Sequence, residues 1–370
     1  MSDCYLPRMG GIEVQVHDLG AGLVAVGHDV EVFTATLGNA GERAGAIETV
    51  DGIPVHRFAL ALPGSVPVNP LAPPEVRRRL RAGGFDVAHV HMGVVSPFAV
   101  DMARVSLGLG LPTAITWHCV LDRSRPLLRA AGYARRWASA GAALSAVSSM
   151  AAARVSDIAG GAQVAVLPNG IDANRWAPVV PPVDPSRTTV RVTAAMRLAR
   201  RKAPDRLVDV VADAVCALPA GTSLVVDVFG DGPQRAAMQS RIVRRGLEAV
   251  VRLRGRVGRD QLRAEHHRAD LYLSVARLEA FGIAALEART AGLPVLGLRG
   301  TGLDDFIVDG VNGRLVAADE LAGALADLVL DGAARRAMAR TNATVSPQQA
   351  WPTVIEDTLA QYRRAGAAWP

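Results

Sequence analysis

The chain has 370 residues, 50% of them apolar and only 4% aromatic, with a net charge of +6. That length suits two domains whose cores Ala, Val and Leu must fill. Three scattered cysteines argue against a disulfide scaffold or a zinc site, no apolar run is long enough to span a bilayer, and no secretory leader is evident.

Basic residues are almost all Arg, and Lys202 is the single lysine. Aromatic residues are not interleaved with the basic ones, so no nucleic-acid partner is expected.

In chain order, Gly10-Gly11 opens a helix whose apolar residues Ile12, Val16, Leu19, Leu23 and Val26 step by three and four, and Gly27 ends it. The first N–H groups of a helix lack intrahelical partners, so the glycine pair marks a candidate anion site. Strands are expected over 29–35, 53–58, 86–91, 113–117, 142–147 and 163–167. A Pro-rich loop is expected over 63–74 and a short basic helix over 75–81. His89 and His91 flank one strand residue, so both rings face one side. They read as a satisfied pair and not as metal ligands, because no further ligands are suitably spaced. His118 follows the strand 113–117 at a carboxyl edge, where ligands bind in doubly wound sheets.

The segment 178–187 carries four prolines and reads as a linker. A second α/β pattern starts at Val190. Arg197 and Lys202 share the loop after its first strand, where a planar fork and a point charge together suit a diphosphate. A basic solvent loop is the plainer reading. The helix that follows turns Leu207, Val211, Ala214, Val215 and Leu218 inward. Strands are expected over 223–229, ending in Gly230-Asp-Gly232-Pro233, and over 250–253, leading to Gly255-Arg-Val257. A further strand over 270–274 runs into a loop holding Glu279. A helix starts at Gly282, with orphan N–H groups near Phe281, Gly282 and Ile283, and contains Glu287. Spacing alone leaves two solvated glutamates as an equal reading. A last helix is expected over 351–364.

The segment Glu279-Ala-Phe-Gly-Ile-Ala-Ala-Leu-Glu287 resembles the E-x7-E motif of retaining GT-B glycosyltransferases of the family 4 type. Ser2-Asp3 with Gly10-Gly11, Thr116-Trp-His118, Pro168-Asn-Gly-Ile-Asp172 and the Arg197…Lys202 loop resemble further segments of that family. The first of these is nearest to enzymes that start phosphatidylinositol glycans. The resemblance implies an α/β, GT-B fold of two Rossmann-like domains facing a central cleft. The acceptor-side domain would span 1–177, the linker 178–188 and the nucleotide-sugar domain 189–348. A C-terminal helix over 349–370 would return to the first domain.

The family implies catalytic roles for Glu279, His118, Arg197 and Lys202. Glu279 and His118 would stand by the transferred sugar, and Arg197 and Lys202 would grip the diphosphate. Gly10, Gly11, Phe281, Gly282 and Ile283 would face the donor, Val257 would read the base through its backbone, and Glu287 would hold the ribose. Three positions depart from the family pattern: Met196, Thr301 and Asp305. No apolar strand precedes Ser2, so the first sheet is expected to lack its central strand unless the start lies upstream.

The expected activity is transfer of a hexosyl unit from a UDP- or GDP-sugar to an acceptor, with retention, no metal and no cofactor beyond the sugar nucleotide itself. The acceptor stays open between a soluble compound and a lipid-linked one. The second would be met by peripheral contact of Arg77, Arg78, Arg79 and Arg81 with the inner membrane face of a cytoplasmic enzyme. The alternatives are a GT-B sugar-nucleotide epimerase and a non-catalytic nucleotide-sugar-binding protein.

Overall fold

The computed structural model describes residues 1–8, 10–41, 43, 45–60, 67–122, 124–178 and 188–368. Two compact units emerge, one of residues 1–170 with 351–370 and one of residues 171–350. The linker expected at 178–188 lies, but for its two end residues, outside the described residues, as do residues 63–66 of the Pro-rich segment.

In the first unit the strands are β1 (Val32–Thr34), β2 (Ile47–Val50), β3 (Ile53–Arg57), β4 (Ala88–Met92), β5 (Thr113–Trp117), β6 (Ala143–Ala146) and β7 (Val164–Val166). They form two ladders, β1-β3-β2 and β4-β5-β6-β7, parallel except for the β2/β3 hairpin. The position between the ladders belongs to the N-terminal residues. Ser2 bridges in parallel to Thr34 on one side and to His91 on the other. The central place is thus held by isolated bridges at Ser2. Asp3 reinforces it by accepting hydrogen bonds from the Phe98 and Ala99 amides, at 3.0 and 3.2 Å, at the start of the helix Pro97–Gly108. Those amides are orphan donors that a carboxylate can satisfy.

Three sequence expectations are corrected here. Strand β2 was not foreseen, because Ile-Glu-Thr-Val is a half-exposed edge with no apolar run. The Pro-rich loop ends early, since the helix Ala72–Gly83 takes Pro73 and Pro74 into its first turn, where a missing N–H costs nothing. Val26 is 55% exposed and lies beyond the helix Gly11–Ala25, whose buried face is Val16, Leu19 and Leu23. The helix Trp351–Arg364 buries Val354, Ile355 and Tyr362 in this unit.

In the second unit the strands are β8 (Thr189–Ala195), β9 (Ser223–Phe229), β10 (Val251–Gly255), β11 (Leu271–Leu273), β12 (Val295–Leu298) and β13 (Gly313–Val316). Their order is β10-β9-β8-β11-β12-β13 and every pairing is parallel. Numbered within the unit this is 3-2-1-4-5-6, the doubly wound order, with its switch point between β8 and β11. The core is aliphatic: Val192, Leu207, Val211, Val226, Leu271 and Leu296 are fully buried. Each such side chain contributes roughly 1.5–3 kcal/mol by leaving water.

Candidate functional site

In the second unit the carboxyl ends of β8 and β11 diverge, and the chemistry-bearing loops leave from there. Arg197 follows β8 and is exposed, and Lys202 ends a single 3-10 turn, Arg200–Lys202. The backbone of this loop is fixed by its neighbour. The Met196 amide donates to Phe229 O at 3.0 Å, the Leu198 amide to Asp231 O at 3.0 Å, and the Gln234 amide to Leu198 O at 2.9 Å. Gly230 sits at φ +121°, and a Cβ there would come within 1.9 Å of Met196 O. The Gly-Asp-Gly-Pro turn is therefore a packing requirement of the Arg197 loop.

Tyr272 in β11 secures the same loop from the other side. Its hydroxyl donates to Ala195 O at 3.1 Å, and burial raises its pKa far above the usual phenol range. Nothing in the sequence pattern marked Tyr272, which reads as one more apolar residue of a buried strand.

After β11 the chain passes Glu279 and enters the helix Ile283–Thr290, with Gly282 as its N-cap. Glu279 and Lys202 form a direct ion pair, with their side chains 15% and 21% exposed. The backbone of Glu279 is held as well, its carbonyl accepting from the Gly302 amide at 2.9 Å. Phe281 is buried against Phe306, and Glu287 is buried in the helix at 8% exposure. Ile283 is half-buried at the helix start, and Val257 is half-buried in the loop between β10 and the helix Arg259–His267. Lys202, Glu279 and the N-terminal end of this helix thus lie at one sheet edge, with Arg197 on the loop beside them. The equal reading of two solvated glutamates does not hold, because Glu279 is paired and Glu287 is buried.

Gly10, Gly11 and His118 belong to the first unit. Gly10 is the N-cap of the helix Gly11–Ala25, but that helix end already faces a carboxylate. Glu13 folds back so that its Oε2 lies 2.3 Å from where a Gly10 Cβ would stand, and it pairs with Arg8 at 3.3 Å. His118 lies just past β5, with its Nε2 3.0 Å from His91 Nδ1. Burial lowers its pKa to about 4, against a smaller opposite pull from the Asn169 side chain. Burial likewise holds His89 and His91 well below the ordinary imidazole range. His89 is the satisfied partner expected from the sequence, bonded to Tyr362 Oη at 3.1 Å and Thr116 Oγ1 at 2.7 Å.

The basic helix Ala72–Gly83 is less available than its sequence suggested. Arg78 and Arg79 both bond Glu75, holding its carboxyl down at about 2, and Arg79 also reaches His56 and Gly45 O. Among the described residues no group of three or more acidic, His or Cys side chains could hold a metal ion, and no helix is long and apolar enough to cross a membrane.

Comparison with known proteins bears on the family and the fold. Residues 9–175 match the model of Glycosyltransferase Family 4, and residues 187–345 match that of Glycosyl transferases group 1. The D-inositol 3-phosphate glycosyltransferase of Kineococcus radiotolerans is 30% identical over 399 residues, covering 96% of this chain and 91% of the relative. A polypeptide of the phosphatidylinositol N-acetylglucosaminyltransferase of Arabidopsis thaliana is 26% identical over 316 residues, covering 84% of this chain and 68% of the relative. Among solved structures, Anabaena Alr3699/HepE in complex with UDP superposes with a TM-score of 0.74 at 20% identity, covering 96% of this chain and 97% of the other. Both halves of the sequence and the fold lead to one assignment: the chain belongs to the GT-B glycosyltransferases of the family 4 type.

Proposed function

We propose that this glycosyltransferase moves a hexosyl unit from a UDP- or GDP-sugar to a hydroxyl acceptor with retention of anomeric configuration. The observation that carries the reading is the Lys202–Glu279 pair at the switch point, beside Arg197 and the helix end at Gly282. As the bond from the anomeric carbon to the diphosphate breaks, negative charge grows on the leaving group. Lys202, held by Glu279, and the N–H groups near Phe281, Gly282 and Ile283 stabilise it, joined by Arg197 from the loop beside them. These side-chain cations take the part that a divalent metal plays elsewhere. Glu279 and His118 contact the transferred sugar, Glu287 holds the ribose and Val257 reads the base. Gly10 and Gly11 line the donor-facing loop, with Glu13 directing them toward hydroxyls more than phosphate.

The acceptor we propose is a phosphorylated polyol, free or lipid-linked. The names of the two relatives support this, since one acts on D-inositol 3-phosphate and the other on phosphatidylinositol. The Glu75 pairing of Arg78 and Arg79 favours the free form.

A panel of UDP- and GDP-sugars, in EDTA, with D-inositol 3-phosphate or with phosphatidylinositol vesicles as acceptor, tests the whole reading. Nucleoside diphosphate release with an α-linked product from an α-linked donor is expected. Inversion, a strict metal requirement, epimer formation, or binding without turnover would each replace part of it.

A further inference from the structure

Strand β8 carries chemistry at both ends. Its carboxyl end delivers the Arg197 loop. Its amino end, roughly 20 Å away at the rise of an extended strand, borders a groove of about 720 Å³. The groove lies at the amino ends of β8, β9 and β10, on the opposite edge of the sheet from Lys202 and Glu279.

Strand periodicity decides what faces this groove. Val190 and Val192 point into the core, so Thr189 and Arg191 face the other way. The β8/β9 register pairs Thr189 with Ser223 and Arg191 with Val225, which puts their partners on the same face. Arg252 in β10 pairs with Asp227, two residues beyond Val225, and so joins that face. Arg191 and Arg252 therefore flank Val225 from the strands on either side of β9, and both line the groove. Parallel sheets are normally covered by apolar packing on both faces. Here a stretch of one face carries two guanidiniums and two hydroxyls instead.

Neither guanidinium is neutralised. Among the described residues no acid lines the groove, and neither Arg191 nor Arg252 forms an ion pair. Two neighbouring carboxylates are engaged elsewhere: Asp270 accepts the Arg191 amide at 2.7 Å, and Asp227 is bonded to Arg254 at 2.6 Å. Thr189 Oγ1 donates to Ser223 Oγ at 3.0 Å, so the Ser223 hydroxyl keeps its own proton to donate outward. Leu218 and Val250 add an apolar wall.

We infer that this groove is a second anion site of the protein, one that binds a small phosphate ester. Planar guanidinium forks match phosphate oxygens two at a time. A bare phosphate ion fills a small part of 720 Å³, whereas that volume falls in the range of small-molecule sites, about 300–1,000 Å³. Leu218 and Val250 then meet the carbon skeleton of the ester, and Ser223 meets an oxygen. Because this site and the switch point lie at the two ends of one strand, each can be disabled without touching the other.

Calorimetric titration of the full chain with glycerol 3-phosphate, inorganic phosphate and glycerol tests the site. Glycerol 3-phosphate should bind saturably at millimolar concentration or below and more tightly than inorganic phosphate, and glycerol should not bind. Arg191→Ala and Arg252→Ala should each weaken the ester about tenfold, the value of one charged hydrogen bond, and Lys202→Ala should leave it unchanged. The reverse pattern would overturn the inference, because the ester would then occupy the Arg197–Lys202 loop. Absence of saturable binding to the wild type would overturn it too. Inorganic phosphate or glycerol binding as tightly as the ester would overturn the assignment to a phosphate ester. A second measurement needs no variant: on titration of the 15N-labelled wild type, the amides of Ser223, Val225 and Arg252 should shift. Shifts confined to residues 197–202 and 281–283 would refute the groove. None of these readouts uses turnover, so their failure leaves the proposed reaction standing.

Discussion

The two units share a strand plan and differ in what stands at its centre. In the second unit the central strand β8 pairs with β9 along seven residues, and its carboxyl end delivers a cationic loop. In the first unit the equivalent place is held by single bridges at Ser2, and the neighbouring strand ends carry imidazoles that burial keeps neutral. The cores differ as well. The first packs Phe33, Phe58, Phe98, Trp117 and Trp137, whereas the second packs aliphatic side chains. One topology thus supports two electrostatic regimes, because a doubly wound sheet fixes where a ligand can be met and the side chains at its edge fix which ligand. Charge suits a diphosphate, and neutral hydrogen-bonding groups suit hydroxyls.

The sharpest way to break this comparison is to remove charge from the second unit. Lys202→Ala should keep the fold and lose roughly 2–4 kcal/mol of transition-state stabilisation, read as kcat. Near wild-type turnover in the purified variant would remove Lys202 from the mechanism.

The two glutamates come next, at about 1.5–3 kcal/mol each for a lost charged hydrogen bond. Glu287→Ala should weaken UDP or GDP binding in a calorimetric titration. Glu279→Ala should leave nucleotide affinity closer to wild type and depress transfer; the reverse pattern would exchange their roles.

A smaller effect, about 1–3 kcal/mol of stability, is expected for Gly230→Ala, which forces an L-residue into a left-handed conformation against Met196 O. Denaturant midpoints measure it, and an unchanged midpoint would mean that the Arg197 loop is not held by this turn.

A last comparison distinguishes the units by pH. A buried histidine whose folded pKa lies below its unfolded value contributes stability that is present above about 6.5 and lost as pH falls toward the folded value. His118, at about 4, with His89 and His91 also well below the ordinary imidazole range, all pull the first unit that way. Asp3 acts oppositely: burial raises its pKa to about 6, so its contribution improves as pH falls from 6 to 4. The Met1 amine, which burial lowers to about 5, pulls the same way as these histidines, so the sum for the first unit is a net loss of stability as pH falls. Hydrogen exchange between pH 6.5 and 4 should open the first unit before the second, where His266 and His267 have lowered pKa values. Simultaneous opening would erase the distinction.

What the sequence determined by itself was periodic or local. The α/β class, most strands and the helices at 11–25, 204–217 and 351–364 followed from side-chain spacing and glycine stops. The positions of Arg197, Lys202 and Glu279 were legible because each lies on the loop that follows a strand, and Glu287 because it lies in the helix that follows the Glu279 loop; the strand order then places those strand ends together. What only the tertiary structure decided depends on partners far apart in the chain. Lys202 meets Glu279 across 77 residues, and Tyr272 holds Ala195 across the same separation. His91 reaches His118 across 27 residues, Gly230 packs on Met196, and Ser2 slots between Thr34 and His91. No local spacing encodes these pairs. They arise because parallel strands bring their carboxyl ends to one edge, and close packing there leaves each buried polar group to find its partner from whichever loop arrives.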